Sequence, residues 1–219
     1  MKGKLKFIKG KNMTLANKLN LTDSAELAHA EERISKKKAA LLFESGYLRT
    51  LKAGTLDSLL CIHKYLFEDI YDFAGKVRDV NLAKGNFRFA SVTYLHDALK
   101  NIEKMPQSTF DEIAEKYVEM NVAHPFREGN GRATRIWLDL ILQQEMDMVV
   151  DWSRIDRDDY LLAMERSPIR DIEIKHLLKG ALTDRINDRE MYMKGIDYSY
   201  YYEGYAIYKA GELAEESDV

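Results

Sequence analysis

Residues 124–135 read HPFREGNGRATR, and the apolar run IWLDLIL follows at once. An ordinary helix start needs one cap residue, and this stretch carries far more chemistry than capping requires. Pro125 lacks an N–H and pushes the residue before it away from helical geometry, so the preceding helix should end near Ala123–His124. Helical apolar spacing resumes after Gly131, which leaves 126–131 as a tight loop feeding a helix N-terminus. Gly129 and Gly131 allow a sharp turn and a close approach to the main chain. The free N–H groups and positive end of such a helix form an anion site. Arg132 and Arg135, three apart, set two guanidinium forks on one side of its first turn, a pairing suited to a polyphosphate.

Positive charge alone would not need Glu128. A carboxylate inside a phosphate loop is repelled by the ligand unless a cation bridges them, and Mg²⁺ is the usual bridge. His124, at the loop's other end, has the unperturbed pKa that suits proton abstraction near neutral pH. Base, cation ligand and phosphate cradle are the parts of a nucleotidyl or phosphoryl transferase.

Outward from the loop, helix formers dominate. Asp23 or Thr22 can cap a helix running through AEERISKKKAALLFES, and Gly46 is placed to stop it. Helical spacing also marks TLDSLLCIHKYLFEDI, YLHDALKNIEK, STFDEIAEKYVEMNVA, DRDDYLLAMERS and much of RDIEIKHLLKGALTDRINDREM. One stretch departs from this pattern: residues 77–92, VRDVNLAKGNFRFASV, alternate about Lys84-Gly85-Asn86 as a short β-hairpin. The expected fold is all-α with one hairpin. The basic N-terminus reads as a frayed lead-in over 1–20, and the acidic end, GELAEESDV, as a loose tail.

The loop resembles the Fic-domain signature HPF-x-[DE]-G-N-G-R-x-x-R at every specified position. FEDIYDFAGKVRDVN, KGNFRFA and RDDYLLAMERS are also similar to that family, so the likeness extends over about residues 20–205. It implies a helical Fic domain over 21–190 that transfers AMP from ATP to a Tyr, Ser or Thr hydroxyl of a protein, releasing pyrophosphate. By motif position, His124 would deprotonate the target and Phe126 would anchor the loop. Glu128 would hold Mg²⁺, and Asn130 would contact the α-phosphate region. Gly129 and Gly131 would allow close approach, Arg132 would grip the β-phosphate side and Arg135 the γ-phosphate. The Doc-like branch, which transfers phosphate, carries lysine where Gly131 stands, so glycine favours AMP transfer. The hairpin, Lys84, Gly85, Asn86, Phe87, Arg88 and Phe89, would be a flap over the site that docks a target by strand addition.

Residues 198–205, YSYYYEGY, resemble the family's inhibitory motif [ST]-x-x-x-E-[GN] through Ser199, Glu203 and Gly204. Ser199 and Glu203 share a helix face. The resemblance implies a C-terminal inhibitory helix and acidic tail over 191–219, in which Glu203 pairs with Arg135 and displaces the γ-phosphate. Tyr200, Tyr201 or Tyr202 could accept AMP itself. The same glutamate could position water for AMP removal, giving a bifunctional enzyme, and a non-catalytic Fic-fold binding module is the rival from another class.

A formal net charge of -3, with 46% hydrophobic and 32% charged residues, gives no support to a nucleic-acid or membrane partner. The run RISKKKAA has no aromatic platform and reads as a solvated helix face. One cysteine, Cys61, excludes a disulfide within the chain and reads as a buried small hydrophobe. A cytoplasmic location is expected, with the oligomeric state and target open. His29, His63, His96 and His176 read as surface or satisfied core residues.

Overall fold

The helix signals become nine α-helices among the described residues of the computed structural model, which are 5–7, 14–85 and 87–216. Asn86 of the hairpin turn therefore lies outside the described residues. The first helix, α1 (Ser24–Glu44), is capped by Asp23, whose side chain accepts from the N–H groups of Ala25 and Glu26. It stops before Gly46, which takes φ +70°, as its sequence leads one to expect. Helix α2 (Leu56–Phe67) starts from Thr55 and buries Leu59, Ile62, His63, Leu66 and Phe67, leaving Cys61 half-buried. Helices α3 (Val92–Glu103) and α4 (Phe110–Ala123) follow, α4 behind a complete capping box of Thr109 and Glu112.

At the centre stands α5 (Asn130–Met146), in which Ile136, Trp137, Leu138, Leu140, Ile141 and Leu142 are all buried. It is apolar on most faces because α2, α4 and α8 (Arg189–Glu203) all pack against it. Of the shorter helices, α6 (Arg157–Arg166) packs on α7 (Ile172–Gly180) and α8, α7 also on α4, and α9 (Ala210–Glu215) on α1 and α8. No helix among the described residues is long and apolar enough to cross a membrane.

Three expectations are corrected. The lead-in is not wholly frayed: β1 (Leu5–Phe7) pairs antiparallel with β2 (Leu82–Lys84), which pairs in turn with β3 (Phe87–Arg88). The hairpin is thus part of a three-stranded sheet in the order β1-β2-β3, with the free edge at β3. Helix over 170–191 is also interrupted. Past Gly180 the chain forms β5 (Leu182–Thr183), paired with β4 (Val149–Val150), and Asp188 then caps α8 afresh. Non-local pairing with β4 overrides the helical spacing there. Finally, 210–215 of the acidic end is helical, because Ala210 and Leu213 are buried against α1.

Candidate active site

The loop between α4 and α5 is held from beneath. Phe126 is fully buried and stacks on His63, ring centroids 3.7 Å apart. His63 is itself fixed at both nitrogens. Nδ1 accepts from the Gly75 N–H, so Nε2 carries the hydrogen and donates 2.9 Å to the Glu128 carbonyl. Burial depresses its pKa to about 3, which keeps the ring neutral. Asn130 spends its amide within the loop, accepting from the Phe126 N–H at 2.8 Å and donating to the Phe126 carbonyl at 2.7 Å. Its side chain braces the turn. Gly129 takes φ +76°, and a Cβ there would stand 2.4 Å from the Phe67 ring. Both the conformation and the contact require glycine.

His124 ends α4 in the left-handed region, φ +50°, strain of a kind that needs local support. Arg78 supplies it. Its guanidinium donates to the carbonyls of His124, Val80, Ala90 and Ala123, tying the end of α4 to the hairpin. The His124 ring stacks on Phe89 from the far end of that hairpin at 3.6 Å. Its Nδ1 lies 3.3 Å from the Asn121 carbonyl and must therefore be the protonated nitrogen, which leaves the lone pair on Nε2. Burial depresses this imidazole's pKa to about 3.

Arg132 and Arg135 leave the first turn of α5 almost fully buried. Arg132 pairs with Glu31 of α1 at 2.8 Å and with Glu128 at 3.2 Å. Its Nε and Nη1 are buried and have no hydrogen-bond partner among the described residues. Orphaned guanidinium donors are costly and mark a place where an anion would be stabilised. Glu128 also accepts from the Gly129 N–H, and burial together with the charge of Glu31 raises its pKa to about 7.

Arg135 is occupied by α8. Its Nε donates to the Ser199 hydroxyl at 2.7 Å, and its Nη2 donates to the Ser199 carbonyl at 2.8 Å and to Glu203 at 2.9 Å. Burial works to raise the Glu203 pKa, but the charges of Arg135 and Lys84 prevail and hold it at about 2. Gly204 ends α8 in the left-handed conformation, φ +94°. Glu203 lies so close to the loop that a Cβ on Gly131 would meet its carboxylate at 2.2 Å.

The structure thus brings His124, Glu128, Arg132, Arg135, Ser199 and Glu203 around one loop. Lys84 joins them through its charge and Phe89 through its ring, while Gly85 and Arg88 are exposed on the hairpin and Phe87 packs edge-on against Phe89. The three tyrosines do not behave alike. Tyr200 and Tyr202 are buried, with hydroxyls on Ser35 and on the carbonyls of Trp152 and Ile155, whereas Tyr201 is 48% exposed. Sequence reasoning passed over Arg78 and Glu31 and saw in His63 only a core residue. All three act on the loop across 40 or more positions of sequence, and only His63, a polar residue within the apolar run SLLCIHKYLF, left a local signal.

A helical frame holding this loop, with a histidine at one end and two buried arginines at the other, is the arrangement that the Fic signature implies. Residues 53–142 match the model of the Fic/DOC family, and the chain is a homologue of that family's protein adenylyltransferases. It is 31% identical over 196 residues to the protein adenylyltransferase VbhT of Bartonella schoenbuchensis, a match covering 83% of this chain but only 40% of VbhT. With the probable protein adenylyltransferase Fic of Escherichia coli K12 it shares 26% identity over 187 residues, covering 80% of this chain and 90% of that protein. The structure of BepC from Bartonella tribocorum, solved with bound AMPPNP, matches with a TM-score of 0.64 at 22% identity over 81% of this chain and 95% of that one. The N-terminal Fic domain of Bep8 from Bartonella sp. 1-1C gives 0.66 at 20% identity over 82% and 95%. At these identities the structural likeness is one of fold.

Proposed function

We propose that the chain transfers AMP from ATP to a hydroxyl of a target protein and restrains itself through Glu203. The observation that carries this reading is a neutral imidazole, with its Nε2 lone pair free, on the same loop as two buried guanidiniums. His124 takes the proton of the target hydroxyl, the oxygen attacks the α-phosphorus in line, and the bond to the bridging oxygen breaks to release pyrophosphate. The Nε and Nη1 donors of Arg132 suit the β-phosphate side, and Arg135 the γ-phosphate. The first-turn N–H groups of α5 face the charge of the α-phosphate.

One carboxylate beside phosphate-binding arginines fits Mg²⁺, which takes few protein ligands and completes its shell with phosphate oxygens and water. Both bonds of Glu128 to its neighbours end on Oε1. Bound there, Mg²⁺ would neutralise charge on the phosphates. The target segment would add along the free β3 edge, because β1 covers the other side of β2. If the C-terminal segment accepts AMP, Tyr201 is the accessible member of the three.

The restraint follows from Arg135. With its donors on Ser199 and Glu203, its fork is not free for a γ-phosphate, and the carboxylate repels one. A charged hydrogen bond is worth about 1.5–3 kcal/mol, enough to suppress productive binding roughly ten- to a hundredfold. Reaction type is tested by label transfer from α- or γ-³²P-ATP to protein in lysate, using Glu203→Gly and Glu203→Gly/His124→Ala chains. AMP transfer requires α-label that the second chain no longer incorporates. Incorporation of γ-label would mean phosphate transfer instead.

A further inference from the structure

Glu31 lies outside the loop and outside the C-terminal motif, yet it is 2% exposed and ends against the nucleotide arginine. A buried carboxylate must be paired and hydrogen-bonded, and here its partners come from three parts of the chain. Arg132 reaches it from α5, the Tyr71 hydroxyl donates from the segment after α2, and the Tyr205 hydroxyl donates at 2.8 Å from just beyond Gly204. Burial, followed by the charge of Glu31, raises the pKa of both phenols, so both remain donors. The guanidinium is also walled by aromatic faces. Its carbon stands 4.8 Å from the Phe67 ring centroid, 4.9 Å from that of Tyr205 and 5.3 Å from that of Tyr200.

One nitrogen of Arg132, Nη2, bridges Glu31 and Glu128, while Nε and Nη1 have no hydrogen-bond partner among the described residues. When Glu128 turns to a cation, Glu31 is the anion left to hold the guanidinium in place. Two of the walls and one of the Glu31 donors belong to the same C-terminal segment that supplies Glu203. Removing Glu203 and removing that segment are therefore different operations.

We propose that Glu31, fixed by Tyr71 and Tyr205, is the positioning residue of Arg132, so that the segment that obstructs Arg135 also completes the site that binds the β-phosphate. This rests on the phosphate-site reading above. Its consequence is that Glu203→Gly releases the enzyme, whereas a chain ending before Ser199 frees Arg135 but loses the clamp on Arg132.

The test is equilibrium binding of ATP, ADP and AMP with Mg²⁺ to the Glu203→Gly chain, alone and with Tyr205→Phe or Glu31→Gln added. Tyr205→Phe keeps the ring and removes only the hydroxyl, so it stays informative if Glu31→Gln fails to fold. The expected result is a loss of roughly tenfold for ATP and ADP, about the worth of one charge-assisted hydrogen bond, with AMP affinity held within about twofold. Equal losses for all three nucleotides would mean a general structural role and overturn the proposal, as would no loss for any. If the Glu203→Gly chain alone binds ATP no more tightly than AMP, the phosphate-site reading itself fails, and this inference with it.

Discussion

His124 sits where a histidine is conformationally uncomfortable, in the left-handed region at the end of α4. Carbonyls bonded to Arg78 hold that backbone, Phe89 holds the ring, and the Asn121 carbonyl selects the tautomer. An imidazole so placed is neutral near pH 7, because burial keeps its pKa at about 3. Replacing it by alanine should cost about 10²–10⁴-fold in AMP transfer or more, read as initial rate in the Glu203→Gly background. Glu203 gives a prediction with a sign. Its folded pKa of about 2 lies below the 4.5 of the free group, so the pair with Arg135 is fully formed above that range and lost only as pH falls towards 2. Acid should therefore not release the enzyme. The ratio of Glu203→Gly to parent rates should stay constant from about pH 8 to 5.5, other titrations being common to both chains. A ratio falling towards one over that window would show that the brake is protonated there.

At the scale of elements, Arg78 is the hub of the latch between α4 and the hairpin, beside the Phe89–His124 stack and the Ala90 N–H on the Val122 carbonyl. Arg78→Leu leaves four carbonyls without their donor. It should destabilise the fold by about 1–3 kcal/mol for the buried Ala123 carbonyl, with less from each of the three part-buried ones, measurable by urea unfolding. An unchanged midpoint would mean that water replaces the guanidinium. The sequence announced the loop because its parts lie within twelve positions and act locally: a proline ends α4, glycines turn, and α5 starts where periodicity resumes. The same holds for the Asp23 cap, for Gly46, and for a Ser199–Glu203 face. Arg78 was illegible, because nothing in VRDVN says that its guanidinium will find carbonyls 45 residues away. The β1 strand and the break after Gly180 were missed for a related reason. Each depends on a partner strand distant in sequence, and two- or three-residue strands carry too little alternation to be read alone.

Over the whole molecule, the C-terminal segment is sewn to α1 through buried charge. Lys36, 1% exposed, meets Glu32 at 3.1 Å, Asp197 of α8 at 3.3 Å and the Tyr208 carbonyl at 2.7 Å. Glu32 also accepts from the N–H groups of Ile207 and Tyr208. Lys36→Met would remove the cation that Glu32 and Asp197 share, leaving them backbone N–H donors alone, and should cost about 3–5 kcal/mol, whereas Lys194→Met on the exposed face of α8 should stay within about 0.5 kcal/mol. Comparable losses for the two variants would deny the cluster its role. This anchoring keeps Glu203 in front of Arg135 without a second chain, and it makes self-restraint the central claim. The most direct test is the initial rate of α-³²P-AMP incorporation by parent and Glu203→Gly chains at matched Mg²⁺ and ATP. The rate should rise roughly ten- to a hundredfold in the variant. Equal rates would contradict it, leaving the Glu203–Arg135 pair as a structural ion pair and nothing more.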